Sequence, residues 1–299
     1  MRTTCAGLAT LLTFLLAVPV PGWSQVDRLR DVTIEVQQVA EGIFLLTGAG
    51  GNIAASAGPD GLLLVDDQFA PLASRIQAAL ESLPGGGPLS ARPLRYVINT
   101  HHHGDHTGGN AHFAGLGATL VASEPARLRL LAANPAPESP LPVITYQEGV
   151  NIYFNGDRLE LQALAGHTDG DTAVRFSRAN VLHAGDLFFN GRFPYIDLSG
   201  GGGVTAYLDS QARLLAMSNE TTRIIPGHGP LGTRADLAAA HEMILRTRQS
   251  VREGMAAGKS LAAIQAEGVA PEFQDYAWAF IDAERWQELL YRDLQGQPE

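Results

Sequence analysis

Residues 99–110 read Asn-Thr-His-His-His-Gly-Asp-His-Thr-Gly-Gly-Asn and follow directly on the apolar run Tyr96-Val97-Ile98. Four histidines and an aspartate therefore fall within residues 101–106, at the end of what the pattern makes a buried strand. Where a strand runs into a loop, no hydrogen-bond ladder fixes side-chain direction, so successive residues can turn the same way. Gly104, Gly108 and Gly109 permit the tight backbone this requires. A solvated polyhistidine stretch would not follow buried β-structure, where unpaired polar groups are costly, and would not be interrupted by Gly and Asp. Imidazole nitrogen and carboxylate oxygen together suit Zn²⁺, Fe²⁺ or Mn²⁺. Three later islands share the same grammar of strand, glycine and potential ligand: Gly166-His167, Gly185-Asp186 and Gly227-His228. One island is weak evidence; four in succession require a fold that gathers distant loops in one place.

The remaining composition bounds that fold. The chain has 299 residues, 45% hydrophobic and 17% charged, enough for one large domain. Its start carries the three parts of a secretory signal: Arg2, the apolar stretch Leu8 to Val20, and the small residues Gly22 and Ser24 ahead of Gln25. That stretch is shorter than the roughly 20 residues a bilayer span needs, and Pro19 and Pro21 break it, so no stable membrane anchor is expected. The expected organisation is a signal peptide over residues 1–24 and one domain over 25–299 with a helical C-terminal part, exported to the periplasm or beyond. Cys5, the one cysteine, would leave with the signal. Any metal must then be held by nitrogen and oxygen, and no disulfide supports the fold. Loss of residues 1–24 removes one Arg and no acid, leaving 20 Lys+Arg against 31 Asp+Glu, a balance of −11. Such a surface repels phosphate backbones and argues against nucleic acid as a partner.

Strands are expected over 33–39, 43–47, 53–57 and 62–66, with Gly58-Pro59-Asp60-Gly61 turning the last two into a hairpin. A helical pattern spans 71–83. After the histidine cluster come a short helix near 110–113, a strand over 119–122, a helix over 125–133 and a Pro-rich surface loop over 134–142. Further strands are read near 151–154, 158–163, 173–176, 181–183 and 224–225. Thr233 and Asp236 make a T-x-x-D cap for a helix reaching about Ala257. Phe273, Tyr276, Phe280, Trp286, Leu289 and Leu290 lie close to helical spacing and are read as the core-facing stripe of a final helix.

The H-x-H-x-D-H run at 101–106, with the distal His167, Asp186 and His228, resembles the metallo-β-lactamase-fold superfamily of metallohydrolases. The ordered islands cover residues 99–229, and the strand-rich start at residue 33 also fits. The resemblance implies an α/β fold, an αββα sandwich of two mixed β-sheets flanked by helices, with metals at one edge. It implies two Zn²⁺ per chain: His101, His103 and His167 on the first, Asp105, His106 and His228 on the second, and Asp186 bridging. His102 occupies the variable position and is expected to face away. His112, His183 and His241 have no motif position and are read as packing or supporting residues. The implied chemistry is a zinc-dependent hydrolase in which metal-bound hydroxide, available at neutral pH, attacks an ester, lactone, thioester or β-lactam amide carbonyl. Asp105 would hold the hydroxide and pass its proton to the leaving group. Tyr195 could donate to the oxyanion, as tyrosines do in some lactonases of this fold; simple packing is the competing reading. The run Ser199 to Gly203 reads as a flexible rim.

Two Zn²⁺ offset by two aspartates and a hydroxide leave a charge of about +1, which favours an anionic small-molecule substrate. Asp186 stands where dedicated β-lactamases of this fold carry Cys or Ser, and so looks more like glyoxalase II and lactonases. Asp171 replaces the second His of the usual Gly-His-Thr-x-Gly-His, a position that is not usually a ligand. The alternative is a non-haem-iron persulfide dioxygenase-like oxidoreductase of the same fold, drawing ligands from His101, His103, His167 and Asp186. Oxygen-reducing diiron relatives carry Glu where His103 stands, which argues against that branch. A nucleic-acid-processing member fits neither export nor the acidic balance, and a non-enzymatic metal-binding protein would show no turnover. Oligomeric state leaves no mark in the sequence.

Overall fold

The computed structural model describes residues 29–133 and 140–296. The described residues from Val32 onward form one compact unit that holds both β-sheets. The expected signal peptide, and residues 134–139 of the Pro-rich loop, lie outside the described residues. No helix among the described residues is long and apolar enough to cross a membrane.

The first sheet contains seven strands in chain order: β1 (Glu35–Ala40), β2 (Ile43–Thr47), β3 (Ile53–Gly58), β4 (Gly61–Val65), β5 (Leu94–Ile98), β6 (Thr119–Ser123) and β7 (Ile144–Tyr146). β1 to β4 run antiparallel and β4 to β7 parallel. The crossovers are α1 (Ala73–Glu81), the short turns α2 (Gly104–Thr107) and α3 (Asn110–Gly115), and α4 (Glu124–Ala133). The second sheet holds β8 (Gly149–Phe154), β9 (Asp157–Ala163), β10 (Thr172–Phe176), β11 (Val181–His183) and β12 (Arg223–Ile225), the last reached through α5 (Val204–Met217) and parallel to β11. The β8–β9 hairpin turns on Asn155 and Gly156, both at positive φ (51° and 72°), as a two-residue primed turn demands. Its tip meets the β3–β4 tip, where Asp60 N–H donates to Asn155 Oδ1 (2.9 Å) and Asn155 N–H donates to Asp60 Oδ2 (2.7 Å).

Side-chain alternation sorts the apolar residues into layers. Leu63, Val65, Ile98 and Val121 meet Leu159, Val174, Phe176 and Ile225 between the sheets. The intervening Ala173, Leu182 and Ile224 face the other way. They bury against α5, α6 (Arg234–Ala256) and α8 (Ala283–Gly296). The result is the expected αββα sandwich. α6 starts on the full capping box, with Asp236 N–H donating to Thr233 Oγ1 and the Asp236 carboxylate accepting from Thr233 N–H.

Three readings of the chain change. The expected final helix is two elements: a 3₁₀ turn, Pro271–Tyr276, then α8. The Phe273-to-Leu290 stripe is therefore broken at Ala277–Asp282, and Phe280 is 44% exposed instead of buried. α5 and the short α7 (Leu261–Glu267) are helices beyond those expected; Ser260 caps α7, its hydroxyl accepting from Ala263 N–H, whereas Gly203 precedes α5 and offers no capping side chain. The Ser199–Gly203 run is not a free rim. Asp197 accepts from Ser199 Oγ (2.6 Å) and Gly200 N–H (2.8 Å), Gly202 N–H donates to Asp197 O (2.8 Å), and Gly203 N–H donates to Gly166 O (2.9 Å).

Candidate metal centre

Every island lies just beyond a strand end. His101, His103, Asp105 and His106 follow β5, His167 follows β9, Asp186 sits in the 3₁₀ turn Gly185–Leu187 after β11, and His228 follows β12. The structure brings all seven together. Their donor atoms form three overlapping groups, His101/His103/His167, His101/His106/Asp186 and Asp105/His106/His228, each within 4.8 Å. His101, His106 and His167 are fully buried. The chain can approach this closely only because of small residues: a Cβ at Gly227 would fall on Asp186 Oδ1, and one at Gly51 on the His106 ring.

Counting protons across the first group shows what it is built for. His167 Nδ1 lies 2.7 Å from the Tyr195 carbonyl, which can only accept, so that nitrogen carries the hydrogen. His103 Nε2 lies 3.0 Å from Asp197 Oδ2 and donates likewise. Thr100 Oγ1 gives its single hydrogen to Asp66 Oδ2 (2.8 Å), so it must accept from His101 Nδ1 at 3.0 Å. The three inward nitrogens are therefore bare. They face one another, with His103 Nδ1 at 3.1 Å from His101 Nε2 and 2.9 Å from His167 Nε2. Protonation of the two buried rings, His101 and His167, does not relieve the crowding at neutral pH. Burial takes His167 down to about 4 and His101 well below its ordinary value, and the neighbouring histidines lower His101 further. Three lone pairs at these separations match the roughly 3.3 Å edges of a tetrahedron with bonds of about 2.0–2.1 Å, the geometry of bound zinc.

The second group is more acidic. His106 Nδ1 is held by Asp66 Oδ2 (2.7 Å), and its Nε2 faces Asp186 Oδ1 (3.1 Å), His228 Nε2 (3.4 Å) and Asp105 Oδ2 (3.7 Å). Burial opposes a charge on His106, yet Asp186, Asp105 and Asp66 keep its pKa well above the ordinary value. Burial likewise opposes a charge on Asp186, but His106, His228 and His167 hold its pKa well below the carboxylate range. Asp186 Oδ2 lies 3.4 Å from both His167 Nε2 and His228 Nε2, and 3.9 Å from His101 Nε2. Oδ1 is buried without a hydrogen bond of acceptable geometry. A carboxylate poised between two nitrogen sets with an oxygen unsatisfied is what a bridging ligand looks like before its cations. These donors fit divalent transition metals.

Supporting residues escaped the sequence reading. Asp66 accepts from Thr100 N–H (2.7 Å), Thr100 Oγ1 and His106 Nδ1, and so orients a histidine in each group. Asn52 Nδ2 donates to the carbonyls of Pro226 and Gly229, both 2.9 Å away, and pins the His228 loop. Asp197 accepts from His103 Nε2 (3.0 Å) and fixes that ring. The signal for Asp66 was present: it ends the apolar run Leu62–Val65, the grammar of the other islands without the glycine. It also sits at φ 64°, a strained backbone for a non-glycine residue. His183 donates from Nε2 to Asn52 O (3.0 Å), and His112 bonds Gln77 (2.8 Å); both support, as expected. His102 does not line the cavity over the centre.

That cavity has a volume of about 660 Å³. Asp105, Asp186, His103 and His228 form its floor, and Phe69, Phe189, Tyr195, Trp278 and Phe280 stand around it with Arg192. A family model described as the metallo-beta-lactamase superfamily matches residues 78–228. The chain belongs to the metallo-beta-lactamase superfamily. As a superfamily member with this His/Asp cluster it is a metal-dependent hydrolase.

Among curated relatives, the "2,4-dinitroanisole O-demethylase subunit alpha" of Nocardioides sp. is 25% identical over 80% of this chain and 70% of its own length. The "Hydroxyacylglutathione hydrolase" of Methylococcus capsulatus is 30% identical over 38% of this chain. That match spans only 43% of the Methylococcus enzyme. Among solved structures, the sec-alkylsulfatase Pisa1 from Pseudomonas sp. superposes with a TM-score of 0.69 at 17% identity, over 89% of this chain and 51% of its own. A metallo-beta-lactamase from Pontibacter korlensis gives 0.59 at 18%, over 71% of this chain and 99% of its own. At these identities the structural likeness establishes the superfamily fold alone.

Proposed function

We propose that this protein is a dinuclear zinc hydrolase that cleaves an acyl bond, an ester, lactone or thioester, in a small anionic molecule. The observation that carries the reading is the set of three bare imidazole nitrogens facing one another, two of them on fully buried rings, His101 and His167, an arrangement that suits a bound cation. His101, His103 and His167 would hold one zinc, Asp105, His106 and His228 the other, and Asp186 both. When bound, the zinc ions supply Lewis acidity toward a carbonyl oxygen and lower the pKa of water toward neutrality. Two divalent cations against Asp105 and Asp186 leave the cavity floor positive, which suits an anionic substrate despite a chain charge of −10.

The chain's own groups orient and move protons. The Asp105 side chain is 26% exposed and reaches the cavity, so its free carboxylate oxygen is placed to take a proton from the attacking water and return it to the leaving group. Tyr195 lines the same cavity, its ring 6.1 Å from that of His103, where its hydroxyl can donate to the developing oxyanion. An acid at position 186 and a hydroxyacylglutathione hydrolase among the relatives both favour acyl-ester and thioester chemistry over β-lactams. The O-demethylase relative is named for a flat aromatic ether, which fits the aromatic walls. We also propose that residues 1–24 direct export, for which mature protein beginning at Gln25 is the expected product.

The test pairs metal quantification with a panel of esters, lactones, thioesters and β-lactams. Close to two zinc ions per chain and turnover of acyl esters or thioesters are expected. A single iron per chain would overturn the reading in favour of the dioxygenase. Asp105→Asn is expected to lose most activity; the variant with both metals and full activity would remove the role given to Asp105.

A further inference from the structure

The cavity has one wall that the family match does not include. Trp278 and Phe280 come from the segment between the 3₁₀ turn Pro271–Tyr276 and α8, beyond residue 228. This segment is fixed in place. Trp278 N–H donates to Ile281 O (3.0 Å), and its indole Nε1–H donates to Phe193 O (2.9 Å). Phe280 stands edge-on to Tyr195, with ring centroids 5.5 Å apart, and 5.6 Å from Trp278. The Arg285 guanidinium lies 4.4 Å over the Phe280 ring. The aromatic surface runs on to the metal centre, because Trp278 is 6.1 Å from the His228 ring and Phe189 stacks on His228 at 5.0 Å. Phe280 nevertheless leaves 44% of its surface open. A rigid apolar ring held open at a cavity mouth gains from being covered.

Arg192 supplies the second half of the pattern. It is the one Lys or Arg lining the cavity, and its guanidinium lies 5.0 Å over the Trp278 ring. Among the described residues it makes no ion pair, although Asp and Glu outnumber Lys and Arg 31 to 21 in the chain. An arginine held over an indole with no ion pair of its own keeps N–H groups with which to grip a carboxylate, in the best case through two parallel hydrogen bonds.

We infer that Arg192, Trp278 and Phe280 form a recognition subsite for a flat apolar group, such as an aromatic ring, that carries a carboxylate. The ring packs on Trp278 and Phe280, and the carboxylate pairs with Arg192. The scissile bond of the same molecule then lies toward His228 and Asp105. This inference rests on the acyl hydrolase reading for its reaction but not for its binding.

The experiment uses the zinc-loaded enzyme and two kinds of probe. 4-Carbamoylbenzoate and benzamide, read by equilibrium dialysis, report binding without turnover. Monomethyl terephthalate and methyl benzoate report hydrolysis. Wild type is expected to bind 4-carbamoylbenzoate about tenfold or more tightly than benzamide, the size of one charge-assisted contact. Arg192→Gln should erase that preference, Arg192→Lys should restore part of it, and Trp278→Leu should weaken both ligands together. If the esters turn over, Arg192→Gln should raise KM for the acidic ester roughly tenfold while kcat stays within about threefold. An Arg192-dependent preference with no turnover of these esters or of any ester, lactone or thioester in the panel above would uphold the subsite and sink the acyl hydrolase reading. Equal binding of 4-carbamoylbenzoate by wild type and Arg192→Gln would overturn the subsite, whatever the enzyme hydrolyses.

Discussion

Asp66→Asn tests the proton bookkeeping at its root. The native carboxylate accepts three hydrogen bonds at 2.7–2.8 Å and donates none. An asparagine of the same shape must place an NH₂ where one oxygen was. If the NH₂ replaces Oδ2, it donates to Thr100 Oγ1 and His106 Nδ1. The threonine hydroxyl then turns to His101 Nδ1, and both histidines move their hydrogens to the inward nitrogens. Each metal group loses a lone pair. Loss of such orienting partners costs about 10–100-fold in metal affinity, or roughly 1.4–2.7 kcal/mol. If the amide flips, the NH₂ faces Thr100 N–H instead, and two buried donors meet at a cost of about 1–3 kcal/mol in stability. The assays are zinc titration against a chromophoric chelator and urea unfolding of the metal-free protein. Unchanged affinity together with an unchanged unfolding midpoint would refute the tautomer assignments.

Three further outcomes are expected. Thr233→Ala removes the cap of α6 and should cost about 1 kcal/mol, seen as a drop of roughly 2–4 °C in Tm with kcat unaltered. Trp286→Ala opens a hole at a fully buried ring stacked 5.7 Å from Phe193 and bonded to Thr247 Oγ1; a loss of about 3–5 kcal/mol is expected in chemical denaturation. Burial pushes Asp171 up to about 8 despite hydrogen bonds from Thr168. The folded chain thus keeps a proton that the unfolded chain releases near 3.8, so this residue's contribution is complete below that value and fades as pH rises toward 8. Asp171→Asn should therefore gain stability over wild type between about pH 4 and 8, and parallel unfolding curves at about pH 5 and 8 would contradict this.

Much of the molecule was legible where local pattern and tertiary demand coincide. β2 and β11 begin and end where apolar runs do, and the Thr233–Asp236 box marks α6 because a cap satisfies its helix locally. All seven residues expected at the centre meet there, since each sits where a strand stops and a glycine lets two loops touch. The aromatic stripe misled because spacing cannot distinguish a helix face from a 3₁₀ turn followed by a bend. Phe273, Trp286 and Leu290 are buried as read, while Phe280 is turned to the cavity. Asp66, Asn52 and Asp197 act only through partners up to 177 residues away, and no local rule announces such a partner. Trp278 and Arg192 lie far apart in the chain and meet only because Trp278 anchors on Phe193.

The chain before Gln147 builds one sheet and the chain after Glu148 the other. Four of the seven ligand candidates belong to the first half and three to the second. Neither half owns a complete set of donors, so catalysis is a property of their union. A protease nick at Gln147 should leave activity intact while the halves stay docked. Separation should abolish it, and remixing should bring it back.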